Sequence, residues 1–171
     1  MKLYIVFIFS TLLLISCQEQ SEQDISSIDP VNWEKKKLTS PLPDSVVEGR
    51  TYLSVYSQIY TQTEHKQLDL TATVSLRNTS DSDTIYISKA EYFNTSGKAL
   101  RNYFKGTIFL RPMETVEIVI DEIDKEGGTG ANFIFDWKTK PGTSEPLFEC
   151  VMISTASQYG LSFSTFGKRL Y

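Results

Sequence analysis

Three observations predict an all-β fold for this chain of 171 residues. Aromatic residues make up 12%, among them nine Tyr and ten Phe, which suit a pleated surface better than a helix. Apolar and polar residues alternate strictly from Leu68 to Asn78: Leu68, Leu70, Ala72, Val74 and Leu76 share one face, and Asp69, Thr71, Thr73, Ser75 and Arg77 the other. Clusters of turn-forming residues recur at intervals of roughly 8–12 residues. The architecture expected is an antiparallel two-sheet sandwich, immunoglobulin/fibronectin III-like, with about seven to nine strands. A small β-barrel is the alternative, because it shares these cues.

The chain divides into three parts. Residues 1–16 have the form of a lipoprotein signal peptide: Lys2 supplies a positive charge, and Leu3 to Ile15 is apolar. As a helix that run rises roughly 20 Å, short of the roughly 30 Å hydrocarbon core. It ends in Leu14-Ile15-Ser16-Cys17, which resembles a bacterial lipobox. The resemblance implies cleavage before Cys17, acylation of its sulfur and of its new amino group, and a firm membrane anchor. Residues 17–48, rich in Gln, Ser, Glu, Asp and Pro, read as a flexible tether. Gln18, rather than Asp, after the acylated Cys resembles the outer-membrane sorting signal of Gram-negative envelopes. The face of that membrane, periplasmic or surface, stays open. Residues 49–171 form the β-sandwich domain.

Within that domain each strand has a local reason. Thr51 to Tyr56 alternates Tyr52, Ser54 and Tyr56 with Leu53 and Val55. Asn78-Thr79-Ser80-Asp81-Ser82-Asp83 is turn chemistry. From Thr84 to Phe93 the apolar phase slips between Ile87 and Tyr92, which predicts a bulge near Lys89 or Ala90. Asn94-Thr95-Ser96-Gly97 closes a hairpin into Lys98 to Tyr103. Ile108 to Leu110 is stopped by Arg111-Pro112. Thr115 to Ile123 places Val116, Ile118 and Ile120 on one face. Gly127, Gly128 and Gly130 make a turn into Asn132 to Lys138, whose Phe133, Phe135 and Trp137 must face a core. Leu147 to Thr155 is apolar on both faces and reads as a central strand. Leu161 to Tyr171 closes the domain.

The order of Tyr56-Ser57-Gln58-Ile59-Tyr60, Ser75-Leu76-Arg77-Asn78-Thr79, Tyr92 to Lys98, Gly127 to Trp137, Glu145-Pro146 with Val151-Met152-Ile153, and Gly160 to Ser164 resembles the bacterial domain of unknown function 3124 family. The resemblance spans about Arg50 to Leu170. It implies a small extracytoplasmic domain and carries over no catalytic residue.

The search for chemistry gives little. Net charge is −4, and losing Lys2 with the leader makes it more acidic, which argues against nucleic acid as a partner. A single histidine, His65, lies in a polar loop, so no HExxH zinc site and no Ser/His/Asp triad is expected. No metal or other cofactor is expected. Once Cys17 is lipidated, Cys150 has no disulfide partner and reads as a buried, inert thiol. The acidic run Asp121-Glu122-Ile123-Asp124-Lys125-Glu126 matches no EF-hand spacing. Gly127, Gly128, Gly130 and Asn132 remain a candidate turn or site. The expected role is a non-catalytic binding module, anchored to the membrane at Cys17 and meeting an envelope protein or glycan. Tyr56, Tyr60 and Tyr92 are its candidate interaction patch, because tyrosine offers contact area and a hydroxyl at low entropic cost. The alternative is a hydrolase using acidic residues near the Gly127–Gly130 turn.

Overall fold

The computed structural model of the chain describes residues 31–155 and 160–171; the signal segment and Cys17 lie outside the described residues. The chain forms a short helix α1 (Trp33–Lys36) and strands β1 (Val47–Ser54), β2 (Gln58–Thr61), β3 (Thr63–Asp69), β4 (Thr71–Arg77), β5 (Ile85–Phe93) and β6 (Ala99–Asn102). Next come β7 (Ile108–Leu110), β8 (Thr115–Ile120), β9 (Asn132–Thr139), β10 (Leu147–Ser154), β11 (Leu161–Phe166) and β12 (Lys168–Arg169). All pairings are antiparallel. The first sheet runs β12-β1-β9-β5-β6, with β7 also on β5; the second runs β11-β10-β4-β8; β2 and β3 form a separate ribbon. The architecture is therefore the expected all-β sandwich, and neither sheet closes into a barrel.

The core explains the arrangement. On β9 the alternation puts Phe133, Phe135 and Trp137 inward, all essentially inaccessible to solvent. From the first sheet Tyr92 stacks on Phe133 at 4.8 Å; Phe133 stacks on Phe135 at 5.3 Å. Phe135 then stacks at 4.2 Å on Phe148 of the second sheet. This ladder crosses the sandwich and joins its two layers. Each such buried side chain contributes about 1.5–3 kcal/mol relative to exposure. The Trp137 indole donates to Thr51 Oγ1 at 2.9 Å. Position 49 must be glycine, since a Cβ there would collide with the Trp137 ring, 2.6 Å from its Cε2.

Two elements differ from expectation, each for a local reason, and a third, the bulge, agrees with it. The stretch Leu68–Asn78 is two strands. The chain turns at the buried Leu70, whose N–H donates to the Ser57 carbonyl at 2.9 Å, and passes from the ribbon into the second sheet. The ribbon strand β2, this split and the separation of β12 from β11 raise the number of strands to twelve among the described residues. The bulge lies where the phase slips, with the β5–β9 register broken between Ile87 and Lys89. The segment read as a tether joins the domain from Val31 onward. Trp33 packs on Phe104 at 5.2 Å, Lys36 pairs with Glu114, and Leu38 donates to the Thr107 carbonyl at 2.8 Å. One tryptophan with a buried partner outweighs the polar composition around it.

Candidate functional site

The three candidate tyrosines do not share a surface. Tyr92 points into the core and is fully buried, with its hydroxyl 2.8 Å from Ser57 Oγ. Burial pushes this phenol up to about 12, against a smaller downward pull from the Ser57 hydrogen bond. Tyr56 is half-buried against Phe163, with ring centroids 5.9 Å apart. Only Tyr60, on the ribbon, is exposed, at 58%. The expected patch is thus corrected. The bulge in β5 reverses the parity of its last residues, so that Ala90 and Tyr92 face inward in continuation of Ile85 and Ile87.

The glycine turn is a clasp. Gly128 to Gly130 form a single 3-10 turn, and Gly128 sits at φ +74°, a conformation that favours glycine. Thr95 N–H and Oγ1 both donate to the Gly127 carbonyl at 3.0 Å, and Gly130 N–H donates to Thr95 Oγ1 at 2.8 Å. Ser57 N–H donates to the Gly128 carbonyl at 3.2 Å. The turn therefore ties the β5–β6 hairpin to the β1–β2 junction. Gly127 packs against the Tyr92 hydroxyl so closely that a Cβ would overlap it and lie 2.6 Å from Ser57 Oγ. Asn132 begins β9, opposite Ser54 and Phe93. These four residues are engaged in holding the end of the sandwich together.

The end of the acidic run, Asp124 to Glu126, is similarly committed. Asp124, almost fully buried, pairs with Arg101 at 2.8 Å, and Arg101 lies 5.5 Å over the Tyr92 ring. Glu126 meets the same guanidinium at 3.0 Å, and Lys125 reaches Asp69 at 2.6 Å. Burial would raise the Asp69 carboxyl, but hydrogen bonds from Lys125 and Gln58 outweigh it and hold the group below its usual range. Burial likewise opposes Glu114, which Lys36 and the Arg111 N–H hold low. Both carboxyls are thus stabilised as anions, the opposite of what a general acid needs. His65 is exposed beside Glu64. Cys150 faces the core, and burial pushes its thiol up to about 12.

Sequence reasoning missed the feature that distinguishes the two outer faces. On the first sheet the outward side chains form ion pairs: Arg50 with Asp136 at 2.5 Å and Lys138 with Glu48 at 2.5 Å across strands, and Lys89 with Glu91 along β5. That face is built for water. On the second sheet Val151, Ile153 and Phe166 are 42%, 43% and 64% exposed. Registry places Val151 between Ser164 and Thr73, Ile153 between Ser162 and Thr71, and Phe166 beside Glu149. Val151 and Phe166 are thus diagonal neighbours, and the three make one apolar strip bordered by hydroxyls and, beside Phe166, by the ion pair of Glu149 with Arg77 at 2.5 Å. The signal was present in Leu147–Thr155, apolar on both faces. That pattern predicts a central strand, and β10 does lie between β11 and β4, but only one of its two apolar faces is covered.

Comparison with known proteins adds a family. No curated protein matches this chain. A solved structure, "Crystal Structure of Thermotoga maritima 1070", is similar with a TM-score of 0.45 and 9% identity, over 70% of this chain and 92% of that one. The model of a family described as "Protein of unknown function (DUF3124)" matches residues 48–170, which takes in the sandwich from β1 to β12 with its clasp and its apolar strip. The chain belongs to the DUF3124 family.

Proposed function

We propose that this chain is a lipid-anchored, non-catalytic interaction module of the bacterial cell envelope. Acylated Cys17 holds it at the outer membrane, and the open face of the second sheet meets an envelope protein. The observation that carries the reading is the strip Val151, Ile153 and Phe166, exposed on a molecule whose opposite face is an ion-pair lattice. Exposed apolar patches of this kind mark interaction sites, because leaving them in water is unfavourable. Two of the three side chains are aliphatic, which suits protein side chains better than a glycan. The hydrolase alternative is less well supported, since the two acids nearest Gly127–Gly130, Asp124 and Glu126, are held in ion pairs with Arg101.

The test uses the full chain in its own envelope. A photo-crosslinking residue at Val151 is expected to give a discrete protein adduct, and one at Lys89 on the charged face to give none. Adding Ile153→Lys should abolish the Val151 adduct. Equal adducts from both faces, or none from Val151, overturn the surface assignment. Cys17→Ala is expected to move the protein out of the membrane fraction; retention there overturns the anchor.

A further inference from the structure

Sheet edges present unpaired N–H and C=O groups, and folded proteins protect them with short strands, charges, bulges or cover. Most edges of this molecule are guarded. β12 is two residues, Lys168 and Arg169. β7 is three residues, and Lys37 bridges Ile108. β6 is four residues, carries Arg101 and meets a register break between Tyr92 and Phe93. β11 is tied to β1, because Thr165 Oγ1 donates to the Ser54 carbonyl at 2.6 Å. In the ribbon, β3 carries Glu64, His65 and Lys66, and β2 ends in a register break before Gln62, at φ +60°.

β8 is different. It is six residues long, Thr-Val-Glu-Ile-Val-Ile, all β-branched except Glu117. It holds no Lys, no Pro and no break in its pairing with β4. Among the described residues nothing pairs with its other side. A groove of about 770 Å³, lined by Val31, Asn32, Arg77, Thr115, Glu117 and Val119, opens beside it.

We infer that β8 is a self-association edge: two copies of this chain pair β8 to β8 antiparallel, joining their four-stranded sheets into one of eight. The occupant and register follow from parity and charge. Val116, Ile118 and Ile120 point inward, and Thr115, Glu117 and Val119 outward. A one-residue slip would set inward residues against outward ones, so only same-face registers are allowed. Centring the twofold on Glu117 opposes two like charges directly, which is unfavourable. Centring it on Ile118 sets Glu117 against Val119 of the second copy and Val116 against Ile120. The strand is thus complementary to itself in one full-length register, as an isologous twofold contact requires. Confinement of two anchored chains to one membrane raises their effective concentration and favours such pairing.

The test uses cysteine pairs in the full-length chain in its membrane, with Glu117→Cys and Val119→Cys on differently tagged chains. Mild oxidation is expected to give about tenfold more covalent dimer from the mixture than from Glu117→Cys alone, because only the mixed pair is directly opposed. Equal yields, no mixed dimer, or disulfide adducts to another protein overturn the inference. A crosslink from Val119→Cys to a cysteine placed at Ser27 of the same chain also overturns it, by assigning the edge to the preceding segment. As a second readout, Val119→Lys in detergent should sediment as monomer where the parent is a dimer, with an unchanged circular-dichroism spectrum showing that it is folded. An unchanged sedimentation profile counts against the edge. These readouts report self-association only, so they stand or fall separately from the envelope partner proposed above.

Discussion

The Tyr92 hydroxyl, the Ser57 hydroxyl and the bare Cα of Gly127 occupy one small volume, and each constrains the others. Gly127→Ala is expected to destabilise the fold by about 1–3 kcal/mol, the usual cost of overpacking, read as a lower urea midpoint at unchanged slope. Tyr92→Phe leaves Ser57 Oγ without its partner and should cost about 1–2 kcal/mol. The same phenol makes a prediction about pH. Its value is raised from 10.0 to about 12 in the fold, and burial raises Tyr103 in the same direction. A raised folded value means that the fold binds the proton more tightly than the unfolded chain. The contribution is therefore complete below about pH 10 and is lost as pH rises toward 12. The denaturation midpoint should fall across that interval, and fall less in Tyr92→Phe. None of this was legible in sequence, where Tyr92 was one tyrosine among nine. Its environment comes from residues 35 positions away in Ser57 and in Gly127 on another loop.

At the scale of the element, β5 shows both what pattern can reveal and what it omits. The phase slip predicted a bulge, and the structure breaks register between Ile87 and Lys89, with Ser88 as the extra residue. Deleting Ser88 restores a strict alternation of Ile87, Lys89 and Ala90 with their present facing. The deletion variant is expected to fold, losing about 1–3 kcal/mol with the Ser88 Oγ bond to the Asp136 carbonyl and the local twist. Inserting a residue after Ala90 turns Tyr92 and the rest of the strand outward and should prevent folding. Circular dichroism and thermal melts of the two variants distinguish them. The Leu68–Asn78 stretch gave no such warning. Its alternation is unbroken, yet the chain leaves one sheet for another at Leu70. Period two specifies which face a residue takes, not which neighbour its strand pairs with. The helix at Trp33 was hidden by averaging, because a four-residue element that depends on Phe104 has no period of its own.

For the whole molecule, the sandwich is held from inside by the aromatic ladder and at its margins by ion pairs that cross between segments. Lys36–Glu114 fastens the N-terminal segment, and Lys125–Asp69 fastens the base of the ribbon. Both carboxyls are held below their usual range, so the fold favours their ionised form. Such groups contribute stability that is complete above the unfolded carboxylate value and is lost as pH falls from there through the lower folded value. The melting temperature should stay level from pH 7 to about 5 and decline below about 4, and high salt should shrink the difference.

The sequence by itself determined the all-β class, the strand faces, the bulge, the inward run of Phe133, Phe135 and Trp137, and the family. These follow from local periodicity and turn chemistry, which depend on residues a few positions apart. Only the tertiary structure decided which tyrosines go inside, that the glycine turn is a clasp, which sheet face stays uncovered, and which edge is left open. Those depend on what packs on a strand from elsewhere in the chain. A strand with two apolar faces carries the same pattern whether it is covered on both or on one.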